Sequence, residues 1–386
     1  TVVLPVGTHV IELTTTDEDG ATGTDTLTVK VNDPPTAAAG PDQVVNDDNL
    51  NGIEVVALDG SGSTDGDGAI VSYVWTEGAT ELASGVTVNV PLPVGVHVLT
   101  LTVTDEDGAT ATDDLQVIVN DPPVADAGPD QVVNDQDLSG SEPVTLDGTG
   151  STDSDGTIAS YVWTLGVTQI ATGSAPTVDL PVGTHVLILT VTDDLGASRT
   201  DSMSVKVNEP PVADAGPDQV VNDQDLSGDQ AVTLDGSGTM DADGAIASYV
   251  WREGATLLAT GVNPTVVLDV GTHVIELTAT DGNGATDTDT MTVKVNEPPV
   301  ADAGPDQVVN DQDLSGDQAV TFDGTGSTDA DGTVVSYLWR EVGGLLATGA
   351  NPTVVLAVGT HVLELTVIDE DGATGTDTLT VKVNDP

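Results

Sequence analysis

The sequence predicts an all-β chain, a tandem array of antiparallel β-sandwiches of 88 residues each. The first observation behind this is a strict period: Trp75, Trp163, Trp251 and Trp339 are evenly spaced, as are Tyr73, Tyr161, Tyr249 and Tyr337, and His9, His97, His185, His273 and His361. So long and regular a period marks serial small domains, each with its own core. The second is composition: apolar residues reach 38% although aromatics are only 2%. They fall in short runs of Val, Leu, Ile and Ala, too apolar and too regular for disorder. The third is that no segment carries a helical period.

The period divides the chain into repeats 34–121, 122–209, 210–297 and 298–386, preceded by residues 1–33, the C-terminal half of a repeat. Eighty-eight residues suffice for one sandwich core. With no cysteine, disulfides cannot reinforce it, and a metal is the remaining staple. The phase reads as a segment of a longer array, with assembly of short chains as the alternative. Either way, residues 1–33 are expected to pair with strands from outside the chain.

In the repeat 210–297, Pro210-Pro211 opens a short, semi-rigid linker, because paired prolines cannot sit in a central strand. Ala231–Leu234 and Ile246–Trp251 read as strands on either side of the turn-rich stretch 235–244. His273, Ile275, Leu277 and Ala279 share one face of a third strand, and Asp281-Gly282-Asn283-Gly284 turns the chain. Met291, Val293 and Val295 alternate with Thr292 and Lys294 in the closing strand. Period-two alternation with turn signals every eight to twelve residues argues for a sandwich of about seven strands.

The unit resembles the polycystic kidney disease (PKD) domain, an immunoglobulin-like sandwich common in extracellular proteins. The residues that carry the resemblance are Ala213 to Gln219, Leu234 to Gly238, Asp241 to Gly244, Ser248 to Trp251, Val270 to His273 and Thr278 to Asp281. Two features depart from the family. Trp75-Thr76-Glu77-Gly78 and Trp251-Arg252-Glu253-Gly254 replace its Trp-Asp-Phe-Gly-Asp-Gly run, and an acidic insertion spans Asn222 to Asp229.

Charge narrows the partners. Seven Lys and Arg against 64 Asp and Glu give a formal charge of −57, which excludes nucleic acid and anionic membrane surfaces and favours cations. No apolar stretch approaches a membrane span. Two acidic clusters recur with the period, and hard cations such as calcium bind clustered oxygen ligands near a turn-permitting Gly. The first lies in the insertion: Asp47, Asn49 and Asn51; Asp135, Asp137 and Ser139; Asp223, Asp225 and Ser227; Asp311, Asp313 and Ser315, each followed by Gly. It fits the opening of a calcium loop without the closing Glu. Asp59, Asp147, Asp235 or Asp323 would have to complete the shell; the alternative is a solvated acidic turn.

The second cluster is implied by the resemblance. Calcium-binding relatives use an Asn at the domain start, the aspartates of an Asp-x-Asp-Gly turn and an Asp after a later strand. Here those places hold Asn32 with Asp65, Asp67 and Asp105; Asn120 with Asp153, Asp155 and Asp193; Asn208 with Asp241, Asp243 and Asp281; and Asn296 with Asp329, Asp331 and Asp369. Such sites would lie near the junctions between repeats and stiffen them.

The histidines and the Tyr-x-Trp pairs read as structural residues. Ile118 stands where other repeats carry Lys30, Lys206, Lys294 and Lys382, which argues against an essential isopeptide cross-link. No Ser/His/Asp or Cys/His arrangement supports an enzyme. The expected function is therefore an extracellular or cell-surface stalk or fibre segment with calcium as its ion. Its expected partners are a continuation or further copies of the same array. An adhesin, or an accessory substrate-binding region of a secreted protein, is the alternative.

Overall fold

The computed structural model describes residues 1–313 and 315–385; Leu314 and Pro386, both in the repeat 298–386, lie outside them. Two compact units divide the chain. One comprises Thr1–Val133, Pro143–Leu180 and Thr184–Lys206; the other comprises Asn134–Glu142, Pro181–Gly183 and the chain from Val207 onward.

The repeat 210–297 lies wholly in the second unit and shows the design. Its strands are β1 (Gln219–Asn222), β2 (Asp229–Thr233), β3 (Ile246–Glu253), β4 (Thr256–Thr260), β5 (Thr265–Asp269), β6 (Gly271–Asp281) and β7 (Thr286–Asn296). One sheet has the order β1-β7-β6-β3-β4 and the other pairs β2 with β5. The pairings are antiparallel except for β1 with β7, in register Gln219↔Val293 to Asn222↔Asn296. The chain enters a serial domain at one end and leaves at the other, so its first and last strands run the same way. Among the described residues, each of the other complete repeats has the same strands in the same order.

The faces of β6 follow the alternation of the sequence, with Ile275, Leu277 and Ala279 buried. With Trp251, Val232, Leu234, Met291, Val293 and Val295, the side chains of Ile275 and Leu277 form the core. Trp251 is fully buried, and its indole N–H donates to the Gly261 carbonyl at 2.9 Å, which satisfies its one polar atom. The Leu-Asp-Gly motif has a packing reason. A Cβ on Gly236 would lie 3.1 Å from Trp251 Cζ2 and 3.2 Å from the Val262 carbonyl, so a side chain here would crowd the indole and a backbone carbonyl. The Ala-Asp-Ala-Gly motif is tied down by aspartates of β7, since Asp287 and Asp289 accept from the amides of Ala213 and Ala215, each at 2.8 Å.

The Trp-Arg-Glu-Gly run forms the β3–β4 hairpin, with a bulge between Trp251 and Arg252. Glu253 accepts from His273 Nδ1 at 2.9 Å while Nε2 faces the Asp269 carbonyl at 2.8 Å. His97 and His361 make the same two contacts, with Glu77 and the Pro93 carbonyl and with Glu341 and the Ala357 carbonyl. In residues 1–33, strands Gly7–Thr16 and Thr22–Val31 make a hairpin equivalent to β6 and β7. Ile11, Leu13 and Leu27 on it are 40%, 65% and 61% exposed, whereas their counterparts Leu99, Leu101 and Leu115 in the next repeat are fully buried.

Candidate metal centres at the repeat junctions

Each repeat hands over to the next at an asparagine that ends its closing strand, or in residues 1–33 directly follows it. Asn208 is fully buried, and its Nδ2 donates to Asp281 Oδ2 at 2.7 Å and to Asn134 Oδ1 at 3.1 Å. Asp281 ends β6, and its other oxygen accepts from the amides of Asn283 and Ala285 at 2.8 and 2.9 Å. Burial opposes its charge, but the Asn208 amide and those backbone N–H groups outweigh it and hold the carboxyl below the usual aspartate range. The same bond forms from Asn32 to Asp105 at 2.6 Å, Asn120 to Asp193 at 2.9 Å and Asn296 to Asp369 at 2.8 Å.

The Asp-x-Asp-Gly turns lie against these bonds. Asp65 Oδ1 accepts from the Asp67 amide at 3.2 Å, and Asp241 Oδ1 from the Asp243 amide at 3.1 Å. At three junctions the residue after the asparagine binds the second aspartate: the amides of Asp33, Asp121 and Glu297 donate to Asp67, Asp155 and Asp331 at 3.2, 3.1 and 3.3 Å. Sequence-distant residues 32, 65, 67 and 105 are therefore gathered at one junction, and likewise at Asn120 and Asn296.

Several oxygens there have no hydrogen-bond partner although buried: Asn32 Oδ1, Asp65 Oδ2 and Asp67 Oδ2; Asp153 Oδ2; Asp241 Oδ2; and Asn296 Oδ1, both oxygens of Asp329 and Asp331 Oδ1. Unpaired buried acceptors are costly, and here they are nearly all carboxylates. Burial raises the Asp329 carboxyl, and the charges of Asp331, Asp369 and Glu370 raise it further. Asp153 is raised by burial and by Asp155 and Asp193. A hard cation supplies what such a set lacks, oxygen-ligand charge neutralisation.

The sequence reading missed a further acid. A Cβ on Gly332 would meet both Glu370 Oε1 and Asp329 Oδ2, the latter at 2.8 Å; one on Gly68 would meet Asp65 Oδ2 at 3.0 Å and Glu106 Oε1 at 3.2 Å. Glycine thus leaves a cradle over which two carboxylates converge. The signal was present as the acid following the junction aspartate, namely Glu106, Asp194 and Glu370. The lysines were also missed in this role: Lys30 pairs across its junction with Asp107 and Glu106, and Lys294 with Asp371.

The inserted loop uses its carboxylates differently. Asp223, 1% exposed, accepts from the amides of Ser227 at 3.2 Å and Gly228 at 2.8 Å, while Asp225 accepts from Ser227 at 3.1 Å. Asp135 and Asp137 repeat this with Ser139 and Gly140. Asp47 binds the Gly52 amide, Asn51 the Ile53 amide, Asp311 the Gly316 amide and Asp313 the Ser315 amide. The Asn49 side chain is exposed. These amides hold a loop in which Leu226 has φ 57°, as an acidic turn does, while Asp47 Oδ1 and Asp311 Oδ1 are buried there without a hydrogen-bond partner. Asp135, Asp137 and Glu142 do offer carboxylate oxygens within 4.8 Å of one another, the one such group of three acids among the described residues. Asp59, Asp147, Asp235 and Asp323 do not close the loop's shell. Asp59 ends the strand that begins at Ile53, about 20 Å further on. All four instead bind the residue two positions on, at Ser61, Thr149, Ser237 and Thr325.

Comparison with known proteins agrees with this architecture. A PKD domain family model matches residues 208–295 and 296–383. A second PKD domain family model matches residues 39–119 and 127–207. The human dyslexia-associated protein KIAA0319 is 33% identical over 98% of this chain and 38% of its own length. The pre-pro-metalloprotease PrtV of Vibrio cholerae is 35% identical over 37% of this chain and 15% of its own. The chain thus spans well under half of the curated relatives it matches. Among solved structures, an I-band fragment of titin, I67–I69, aligns with a TM-score of 0.41 and 13% identity, covering 69% of this chain and all of the fragment.

Proposed function

This chain belongs to the PKD-domain family, and from that premise we propose that it is a structural stalk or fibre segment outside the cell or at its surface, stiffened by calcium at its repeat junctions. The observation that carries the proposal is the set of buried, unpartnered oxygens on Asn296, Asp329 and Asp331, met by the like charges of Asp369 and Glu370. Calcium would be held by the junction asparagine oxygen and the Asp-x-Asp carboxylates, with Glu106, Asp194 and Glu370 beside them. Its contribution is positive charge at a place where the chain concentrates negative charge. Extracellular modules bind calcium at about 10⁻⁴ to 10⁻³ M, concentrations that suit a site open to the outside of a cell.

A stalk does its work by length and stiffness, so copying one junction along the chain is functional in itself. The partners in this reading are a continuation or further copies of the array, and the charge of −57 keeps similar sheet edges from pairing sideways. No catalytic role is assigned. The match to a metalloprotease favours a second reading, an accessory or adhesive region of a larger secreted protein. Retention of the calcium-loaded chain on polysaccharide or cell surfaces would distinguish it.

The test is calorimetric titration with calcium in excess magnesium at constant ionic strength, alongside small-angle X-ray scattering. Heat of binding with a narrower distribution of maximum dimensions is expected. Absence of heat with an unchanged melting temperature sinks the calcium reading.

A further inference from the structure

We propose that the four junction sites are unequal, and that at the Asn208 site the side-chain amide of Asn283 stands where the Asn32 and Asn296 junctions leave an unpartnered asparagine oxygen for a cation. This rests on the calcium reading above and concerns which junctions need the ion. Asn208 and Asn296 are both fully buried, and each has its orientation fixed because Nδ2 must face an aspartate that can only accept, Asp281 or Asp369. Their Oδ1 atoms therefore face the same way. Asn296 Oδ1 has no partner, whereas Asn208 Oδ1 accepts from Asn283 Nδ2.

The place of Asn283 is held by Asp107 and Asp371 at two other junctions and by Leu195 at the third. None of these can donate to the asparagine oxygen. At Asn296 the result is an acceptor beside an aspartate, Asp371, whose Oδ2 is taken by Lys294, with Glu370 and Asp329 converging over Gly332. One position before Asn283 stands Gly282, where the others carry Glu106, Asp194 and Glu370. The Asn208 site thus has a donor in place of an acceptor and lacks the carboxylate over its glycine cradle. Calcium affinity follows ligand charge count, so this site binds calcium weakest and holds its asparagine without it.

Equilibrium dialysis of the full chain against calcium chloride, at fixed ionic strength, counts the ions. The wild type is expected to show tight sites at Asn32 and Asn296 and a site at Asn208 weaker than these by roughly tenfold or more. Gly282→Glu with Asn283→Asp, both at exposed positions, brings the Asn208 site to the affinity of those at Asn32 and Asn296. Glu370→Gly with Asp371→Asn moves one tight site into the weak class, and melting curves confirm that each variant is folded. Four sites of equal affinity in the wild type, or no change in either variant while the wild type binds calcium, overturns the proposal. A wild type that binds no calcium overturns the calcium reading itself, a result distinct from either of those.

Discussion

Asn208 Nδ2 lies 2.7 Å from Asp281 Oδ2, and this one bond ties the last residue of a closing strand to the turn of the following repeat. Both side chains are buried, at 0% and 2% exposure, so neither can exchange its partner for water without cost. A double-mutant cycle on Asn208→Ala and Asp281→Ala should give a coupling of about 1.5–3 kcal/mol, the range for a hydrogen bond to a charged group. Urea denaturation at neutral pH, with calcium chelated, measures it. Additive effects would mean that the bond contributes nothing to stability.

Gly236 supports a prediction about the core. Its missing Cβ leaves the space into which Trp251 and the Val262 carbonyl press, and Gly236→Ala should destabilise by roughly 1–3 kcal/mol through overpacking. Gly254, at φ 54° in the β3–β4 turn with nothing near its Cβ position, is a useful contrast. Alanine there strains the backbone by about 1 kcal/mol without crowding the tryptophan. Indole fluorescence should shift in the first variant and stay unchanged in the second.

Much of this was legible in the sequence because it is periodic. The 88-residue spacing marked out the repeats, alternation marked the long strands β3, β6 and β7, and the asparagine and aspartates of each junction were found by resemblance. The four-residue β1 and the five-residue β4 and β5 are too short for alternation to stand out, and the parallel pairing of β1 depends on where the chain enters and leaves. In the inserted loop ligand spacing and turn chemistry use the same residues, so the sequence left a calcium loop and an acidic turn both open. Only geometry shows Asp223 occupied by the amides of Ser227 and Gly228. Glu370 went unnoticed because its convergence with Asp329 over Gly332 joins segments far apart in sequence.

The histidines predict a pH dependence. Burial opposes the charge on His273, but the Asp269 carbonyl and Glu253 outweigh it and keep the ring raised; His361 is raised by the Ala357 carbonyl and Glu341 despite burial. Each faces two acceptors, and only the doubly protonated ring can donate to both. A raised folded value means that this stability is fully present below the ordinary imidazole value of 6.5 and is lost as pH rises through the folded value. Proton NMR should show both rings titrating above 6.5, with Glu253→Gln lowering His273 and leaving His361 in place.

The junction acids predict that calcium changes the sign of another pH effect. Asp153 and Asp329 are raised in the folded chain, so between the ordinary value of 3.8 and their folded values the native state holds more protons than the unfolded one. Stability attributable to them must therefore fall as pH rises through that window. Asp105 is lowered, chiefly by the Asn32 amide, and at Asp281 burial is outweighed by the Asn208 amide and backbone N–H groups, which leave it lowered too. Their contribution behaves oppositely, being lost as pH drops below 3.8. Without calcium, the melting temperature should decline from about pH 4 upward at fixed salt. Bound calcium requires ionised carboxylates, so saturation should turn that decline into a rise and add about 2.7 kcal/mol per site at a hundredfold excess over the dissociation constant. Magnesium, which gives up its water shell reluctantly, should leave the decline in place, and a matched sodium chloride series separates site binding from screening. Equal effects of calcium and magnesium at equal ionic strength would assign the change to diffuse charge rather than to Asn296, Asp329 and Asp331.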